Sequence, residues 1–129
     1  MNEFSGMLLQ ANLIGGKWSA ADTGATIAVL NPATGAELGQ VPNCGTAETN
    51  RAIAAATAAF ADWSRSNLSF RVGLLHKLHE ALMDHQEPLA QLLTAEQGKP
   101  LAEARGEIAI GAAYVRWFAE EVLRAKGEI

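Results

Sequence analysis

The sequence has little that would support a disulfide framework, a membrane span or a secretion signal. Only one of its 129 residues, Cys44, is a cysteine, which excludes an intrachain disulfide and is typical of an intracellular protein. No apolar run approaches the roughly 20 residues that a membrane-spanning helix needs. The N-terminus has no basic leader, so we expect no secretory signal and no membrane partner. The expected location is therefore the cytoplasm.

Positive charge is also scarce. Ten lysines and arginines stand against fourteen acidic residues, which gives a formal net charge of -4. Because phosphate binding needs a basic face, this balance argues against nucleic acid as a partner. Hydrophobic residues make up 49% and charged residues 19% of the chain. These fractions exclude disorder and low-complexity repeats, and they predict a folded chain of one domain's length.

Turn-forming residues are concentrated in the first third of the chain and indicate a β-rich segment. Gly15 and Gly16 can supply the positive φ angles of a tight hairpin turn. The β-branched run 26–30 and the alternating run 37–41 each have the length of a strand and end at a turn. These patterns predict a tail over 1–10 and three short strands over 11–45, the last two forming a hairpin around 31–35.

The apolar residues adopt a helical period from Thr46 onward, which predicts four helices over 46–127. The expected boundary residues are Thr46 as N-cap of the first helix, Asn67 or Ser69 as N-cap of the second, Pro88 in the first turn of the third, Gly98 at its end, and Pro100 and Gly127 at the two ends of the fourth. The apolar stripes expected to face a core are Ile53, Ala56, Phe60 and Trp63; Leu68, Val72, Leu75, Leu78 and Leu82; Leu89, Leu92 and Leu93; and Leu101, Ile108, Ala112, Val115, Ala119 and Val122.

The fourth helix carries a second apolar stripe, formed by Ile110, Tyr114 and Trp117. A helix with two apolar stripes is buried on two sides or lines a pocket, and core packing is the expected explanation. Gly106 and Gly111 lie inside the same helix, where each costs ~1 kcal/mol relative to alanine. We interpret them as positions where another backbone approaches closely in helix packing.

Few residues indicate chemistry on their own. His76 and His79 are three residues apart on one helix, a spacing that can bind a metal when further ligands join, but no HExxH pattern is present and no metal site is expected there. Cys44 has no histidine or cationic neighbour in sequence to activate it, so we interpret it as a passive thiol. Glu103 and Glu107 could form an acid pair, although a solvated helix face is the usual explanation.

Several segments, in order along the chain, resemble the aldehyde dehydrogenases. Residues 13–18 (LIGGKW) resemble the hairpin that opens these enzymes, and 31–37 (NPATGAE) resemble their NPATGE turn. Residues 54–63 are similar to their AAxxAFxxW helix. Residues 96–104 (EQGKPLAEA) are similar to a segment of one subgroup, the succinate-semialdehyde dehydrogenases. The resemblance extends over about residues 10–129.

The resemblance implies an α/β fold of the aldehyde dehydrogenase type, of which this chain is only the N-terminal part, with short β-hairpin strands followed by helices of the cofactor-binding domain. It implies a homo-oligomeric full-length enzyme that oxidises a small aldehyde, succinate semialdehyde above all, with NAD or NADP through a cysteine thiohemiacetal. The family's nucleophile, general base, oxyanion asparagine and cofactor-binding motifs match nothing in this chain. No catalytic or cofactor-binding residue is therefore assigned, and the chain alone is expected to be inactive.

Two family features do map onto this sequence. The resemblance implies a monovalent-cation site at the backbone carbonyls of Val29 and Leu30 and the carboxylate of Glu96. It also places the stripe of Ile110, Tyr114 and Trp117 where family members line the substrate tunnel. These are the site residues that the sequence predicts.

Strand edges without partners and an ending at residue 129 with no terminal element indicate a fragment of a larger chain, or a chain that must pair with another. The alternative is a self-sufficient, non-catalytic helical binding or scaffold domain derived from the same family. A fragment would expose its apolar stripes, whereas an independent domain would bury them and melt cooperatively.

Overall fold

The computed structural model describes residues 8–124, which form two compact units. The first unit contains residues 8–64 and 95–98, and the second contains residues 65–94 and 99–124. The elements are the strands β1 (Asn12–Ile14), β2 (Lys17–Ser19), β3 (Thr26–Leu30) and β4 (Glu37–Pro42), the helices α1 (Thr46–Trp63), α2 (Leu68–Asp84), α3 (Gln86–Gln97) and α4 (Leu101–Glu121), and a 3₁₀ turn, Val122–Arg124. The predicted order of hairpin strands followed by four helices is confirmed.

The strands of the first unit form two separate antiparallel hairpins, β1 with β2 and β3 with β4. Gly15 and Gly16 turn the first hairpin with φ angles of 57° and 77°. The prediction of three strands is wrong, because the residues on both sides of these glycines pair and add a fourth strand. In the second hairpin the register shifts between Val29 and Leu30, which marks a β-bulge.

The start of α1 differs from the prediction. Thr46 is the first helical residue, and Gly45 occupies the N-cap position without a side-chain hydrogen bond. Glu48 supplies the missing acceptor, because its Oε2 accepts a hydrogen bond from the Gly45 N–H at 3.0 Å. The prediction of Thr46 as N-cap is therefore wrong: a glutamate in the third helical position satisfies the free N–H from inside the helix.

The boundaries of the other helices follow the sequence more closely. Asn67 caps α2, with its side-chain oxygen accepting the Ser69 N–H at 2.9 Å, so the first of the two predicted caps is confirmed. Pro88 lies in the first turn of α3, as predicted, and Pro100 occupies the N-cap of α4. The predicted end of the last helix at Gly127 falls outside the described residues.

Packing in the second unit depends on small side chains of α4, which lies against α2. The alanines Ala104, Ala112 and Ala119 of α4 are 0% exposed. Other members of the predicted α4 stripe are half-buried around them, namely Leu101, Ile108, Val115 and Val122. The main stripe of α4 is therefore confirmed as the inward face of this helix.

Large apolar side chains, by contrast, are poorly covered within residues 8–124. The buried apolar residues of this part are all alanines, and no large side chain is fully buried. Ile53 and Phe60 of α1 are 59% and 64% exposed, and Leu68 and Leu78 of α2 are about half exposed. The prediction that these residues face a core is wrong, because no described element of their own unit covers them. No helix within residues 8–124 has the length and apolar character needed to cross a bilayer.

Candidate functional site

A small cavity in the first unit brings two of the three predicted cation-site residues together. Val29 of β3 and Glu96 near the end of α3 both line this cavity, which has a volume of ≈ 50 Å³. Leu30, the third predicted residue, follows Val29 directly but does not line it. The remaining lining residues are Leu8, Leu9, Gln10, Leu38, Gly39, Gln40 and Val41.

The turn after α3 explains how Glu96 reaches the end of β3. Gly98 ends α3 with a φ of 74°, in the left-handed region that favours glycine, as the sequence predicts. A Cβ atom at this position would lie 3.1 Å from Cγ of Pro32, in the turn after β3. Glycine is therefore required by both the backbone angle and the close approach, and this contact keeps Glu96 beside the strand.

The polar groups of this cavity are oxygen donors of the kind that hard cations prefer. Glu96 offers a carboxylate and Gln10 an amide carbonyl. Gln40 also lines the cavity, but its side chain is engaged with Thr26 at 2.8 Å and Glu37 at 3.0 Å. The donor set thus fits a monovalent cation held by a few oxygens, and the residues for it lie in one unit.

The second predicted site lies on the outer face of α4. Ile110, Tyr114 and Trp117 line one open groove of ≈ 370 Å³ together with Ala113. Their exposures are 59%, 62% and 59%, so the expectation that they pack in a core is wrong for the described residues. The structure instead brings all three predicted tunnel residues to one apolar surface, as a pocket lining requires. The ring of Tyr114 also stacks on Phe118, with centroids 6.4 Å apart.

The glycines of α4 are not closely packed in the described part of the chain. A Cβ added at Gly106 or Gly111 would meet no atom within 4 Å there. The expected close approach of another backbone is therefore absent from residues 8–124. Glu107 forms an ion pair with Lys99 rather than an acid pair with Glu103, which is exposed.

Two of the remaining chemical candidates, His79 and Cys44, have structural partners. The Nδ1–H of His79 donates to the Ala112 carbonyl at 2.9 Å, which ties α2 to α4. Within residues 8–124, no three His, Cys, Asp or Glu side chains converge as a metal site. Cys44 is half-buried, and its Sγ accepts a hydrogen bond from Nδ2 of Asn12 at 2.9 Å.

A polar cluster that the sequence analysis missed holds the start of α1. Glu48 is only 5% exposed, and its Oε1 accepts the Asp22 N–H at 2.7 Å in addition to the Gly45 contact. Asp22 in turn forms a bidentate ion pair with Arg51, at 2.6 and 2.8 Å. Hydrogen bonds from the backbone N–H groups of Asp22, Glu48 itself and Gly45 lower the pKa of the Glu48 carboxyl, and the Arg51 guanidinium lowers the pKa of Asp22.

Comparison with known proteins identifies the family to which these features belong. The sequence profile of the aldehyde dehydrogenase family matches residues 18–129. The chain is 50% identical over 122 residues to 3-sulfolactaldehyde dehydrogenase of Pseudomonas putida, covering 95% of this chain and 25% of the relative. It is 50% identical over 119 residues to glutarate-semialdehyde dehydrogenase of P. putida, covering 92% and 25%. Succinate-semialdehyde dehydrogenase [NADP(+)] of Escherichia coli is 45% identical over 124 residues, covering 96% and 26%.

Solved structures show the same relationship. Succinate-semialdehyde dehydrogenase of Burkholderia pseudomallei superposes with a TM-score of 0.93 at 47% identity, covering 98% of this chain and 26% of that one. An indole-3-acetaldehyde dehydrogenase of P. syringae, solved with NAD⁺, superposes with a TM-score of 0.89 at 30% identity over 94% of this chain and 25% of that one. The chain thus spans about a quarter of the length of the relatives it matches. The name of the E. coli relative includes NADP⁺, and the P. syringae structure contains NAD⁺, in agreement with the cofactors that the resemblance implies.

Proposed function

Because the chain belongs to the aldehyde dehydrogenase family, we propose that it is part of an NAD(P)-dependent enzyme that oxidises succinate semialdehyde to succinate. The observation that carries this proposal is the 45–50% identity to three dehydrogenases over 92–96% of the chain. The aldehydes in their names all carry an acid group, either a carboxylate or a sulfonate. The substrate class that follows is a small aldehyde with an anionic group, of which succinate semialdehyde is one.

The proposed reaction proceeds through covalent capture. A cysteine thiolate adds to the aldehyde carbon, and the oxyanion that forms is held by hydrogen-bond donors. A bound nicotinamide cofactor would supply the hydride acceptor for this carbon, and water would then release the acid. Cys44 is not proposed as the nucleophile, because it is half-buried, its Sγ accepts a hydrogen bond from Asn12, and the resemblance matches it to no catalytic position. In this proposal the catalytic groups belong to the part of the enzyme that this chain does not match, and the 129-residue chain alone is inactive.

The chain's own contribution is to position groups around that chemistry. Val29, Leu30 and Glu96 are proposed as ligands of a monovalent cation, supported by the shared cavity of Val29 and Glu96 and by the Gly98–Pro32 contact. The groove residues Ile110, Tyr114 and Trp117 are proposed as one wall of the substrate tunnel, supported by their exposure on a single apolar surface. A homo-oligomeric assembly and a cytoplasmic location belong to the same proposal.

The burial pattern argues against the alternative of an independent scaffold domain. Such a domain needs large side chains in its own core, because their burial supplies most of the stabilising free energy. In residues 8–124 the buried apolar side chains are alanines only. This pattern favours a segment that is completed by further polypeptide.

The function is tested by steady-state kinetics on the protein purified from its native source. Reduction of NAD⁺ and of NADP⁺ is followed with succinate semialdehyde, glutarate semialdehyde and 3-sulfolactaldehyde, and with butanal as an uncharged control. The proposal predicts a higher kcat/KM for the acid-bearing aldehydes, with succinate semialdehyde highest. Equal or higher values for butanal would contradict the substrate class, and no cofactor reduction with any aldehyde would contradict the reaction.

The cation site is tested by thermal unfolding. The proposal predicts a higher melting temperature in potassium chloride than in tetramethylammonium chloride at equal ionic strength, because the methyl groups of the organic ion keep its charge from direct contact with oxygen ligands. Glu96→Gln should remove this difference, whereas Glu103→Gln, a change at an exposed glutamate of α4, should keep it. A difference that survives Glu96→Gln would show that the cation binds elsewhere.

A further inference from the structure

The imidazole of His79 links two helices of the second unit. Its Nδ1 lies 2.9 Å from the carbonyl oxygen of Ala112, which is 33 residues away on α4. Because a backbone carbonyl can only accept a hydrogen bond, the proton is on Nδ1, and the contact selects one tautomer of the ring. His79 is half-buried and Ala112 is 0% exposed, so little water competes for this bond.

The accepting carbonyl lies in the middle of α4, next to a glycine. In this helix the Ala112 carbonyl accepts the backbone N–H of Arg116, four residues on, and its second lone pair is available to His79. Gly111 directly precedes Ala112, and a Cβ atom there would meet no atom within 4 Å in residues 8–124. A glycine inside a helix leaves the backbone more conformational freedom than any other residue. The His79 bond therefore restrains α4 beside a point where its sequence restrains it weakly.

The restrained turn of α4 carries the walls of two adjoining grooves. One is the open groove lined by Ile110, Ala113, Tyr114 and Trp117. The other, of ≈ 340 Å³, is lined by His79, Ala113, Arg116, Trp117 and Glu120. Ala113 follows Ala112 directly, and Trp117 lies four residues further along the same side of the helix. Because both grooves share Ala113 and Trp117, a shift of α4 at Ala112 would move a wall of each.

We infer that His79 is a positioning residue for the aldehyde, because its bond to Ala112 holds the groove wall of Ala113 and Trp117 in place. This inference rests on the proposed function, in which Trp117 belongs to one wall of the substrate tunnel. His79 acts through α4 and needs no contact with the reacting atoms. A wall that moves by about 0.5–1 Å loses roughly a quarter to a half of the dispersion energy of each contact with a bound aldehyde.

Two substitutions of similar shape separate the hydrogen bond from packing. Asparagine carries its Nδ2 donor at the same number of bonds from Cα as Nδ1 of histidine, so His79→Asn keeps a donor for the Ala112 carbonyl. Leucine branches at the same atom but has no donor, so His79→Leu removes the bond. His85→Leu is the matched control. The Nδ1–H of His85 donates to the Ala81 carbonyl at 2.9 Å, a bond of the same kind that does not join α2 to α4.

Steady-state kinetics on the protein expressed from its complete coding sequence measures the effect, with whichever aldehyde it oxidises. In His79→Leu the KM for the aldehyde should rise roughly three- to tenfold, while the KM for NAD⁺ or NADP⁺ stays unchanged. His79→Asn should recover most of this rise, and His85→Leu should leave both constants unchanged. A purely structural role would lower the active fraction instead, which reduces the apparent kcat and leaves both KM values unchanged. That result, or equal aldehyde KM values for His79→Leu and His79→Asn, would overturn the inference.

Amide hydrogen exchange tests the physical step on which the change in KM depends. His79→Leu should raise the exchange rates of the backbone amides of residues 113–117, and His79→Asn should not. Equal exchange rates in the two variants would overturn the inference. If His79→Leu does not fold, His79→Phe replaces it in both measurements, because a phenyl ring fills the volume of the imidazole and has no donor.

The two measurements also separate this inference from the proposed function. Oxidation of butanal but of no acid-bearing aldehyde, with the expected pattern of KM values, contradicts the proposed substrate class and leaves His79 as a positioning residue. Preference for the acid-bearing aldehydes, with KM values that do not respond to His79→Leu, supports the function and overturns the inference. If no aldehyde is oxidised, the reaction is contradicted, and the exchange rates alone decide whether His79 holds the groove wall.

Discussion

Each of the two units of this chain is stabilised internally by a different kind of interaction. In the first unit, Glu48 and Arg51 fasten the start of α1 to Asp22, in the segment before β3, through hydrogen bonds of 2.6–2.8 Å. In the second unit, alanines that are 0% exposed allow helices to pack closely, and ion pairs such as Glu87–Arg105 lie at the surface. The first unit thus depends on a few hydrogen bonds, and the second depends on small side chains that let its helices approach closely.

This difference shows how a segment with few large buried side chains can still have a defined fold. Directional hydrogen bonds fix the position of a helix end without a large apolar area, because a buried acceptor tolerates few alternative arrangements. Alanine contacts fix helix spacing, because any added volume must displace a neighbour. The second unit should therefore lose more stability when a side chain is enlarged, and the first unit should lose more when a hydrogen bond is removed.

Enlarging a buried side chain of the second unit should lower the free energy of unfolding more than any other change considered. Ala104→Leu inserts three carbon atoms at a position that is 0% exposed and should lower the free energy of unfolding by about 1–3 kcal/mol. The measurement is urea denaturation followed by circular dichroism. Ala102→Leu, two residues earlier at an exposed position, is the control and should change the value by less than about 0.5 kcal/mol. Equal effects of the two substitutions would mean that α4 is not closely packed at Ala104.

Substitution of glycine should distinguish a turn of the first unit from a helix of the second. Gly98→Ala forces a side chain into a left-handed conformation 3.1 Å from Pro32 and should cost about 1–2 kcal/mol. Gly106→Ala meets open space in α4 and should stabilise by up to about 1 kcal/mol. Melting temperatures of the two variants should therefore move in opposite directions. A stabilising Gly98→Ala would show that the turn does not approach Pro32.

Loss of the buried acceptor should weaken the first unit. Glu48→Ala leaves the N–H groups of Asp22 and Gly45 without their carboxylate partner, so the melting temperature should fall. Glu48→Gln keeps one acceptor oxygen and should lie between the alanine variant and the unaltered protein. Asn50→Ala, at an exposed position of the same helix turn, should have little effect. If Asn50→Ala is as damaging as Glu48→Ala, the buried carboxylate is not what holds the helix start.

Lowering the pH should reduce the stability that the same cluster, Glu48 with Asp22 and Arg51, contributes. The folded-state pKa of Glu48 is lowered from its ordinary value of 4.5, so its stabilisation is complete above that value and is lost as the pH falls through the lowered pKa. Asp22 shifts in the same direction because of Arg51 and adds to the same loss. Stability measured from neutral to acidic pH should decline less steeply in Glu48→Gln than in the unaltered protein. An unchanged slope would exclude Glu48 as a source of the acid sensitivity.

The features that local sequence encodes were predictable. Glycines with positive φ, at positions 15, 16 and 98, and the Asn67 cap depend on neighbours a few residues away, and the sequence predicts them correctly. The inward stripe of α4 follows from its helical period. Resemblance to a family also indicated Val29 and Glu96 together, although they are far apart in sequence.

The wrong or missed predictions concern residues whose neighbours are distant in sequence or lie outside the described residues. A helical stripe identifies Ile53 and Phe60 as apolar, but their burial depends on an element that the described residues do not contain. The Glu48–Asp22 contact joins residues 26 positions apart and leaves no periodic pattern. A glutamate in the third helical position after a glycine was the available signal, and it points to a cap rather than to a partner in a distant loop.

The most direct test of the account is the intact mass of the protein isolated from its native source. If this segment belongs to a dehydrogenase-length polypeptide, as proposed, the mass will be several-fold above 13.6 kDa and an acid-bearing aldehyde will reduce the cofactor. A mass of 13.6 kDa, with no larger polypeptide bound, would contradict it.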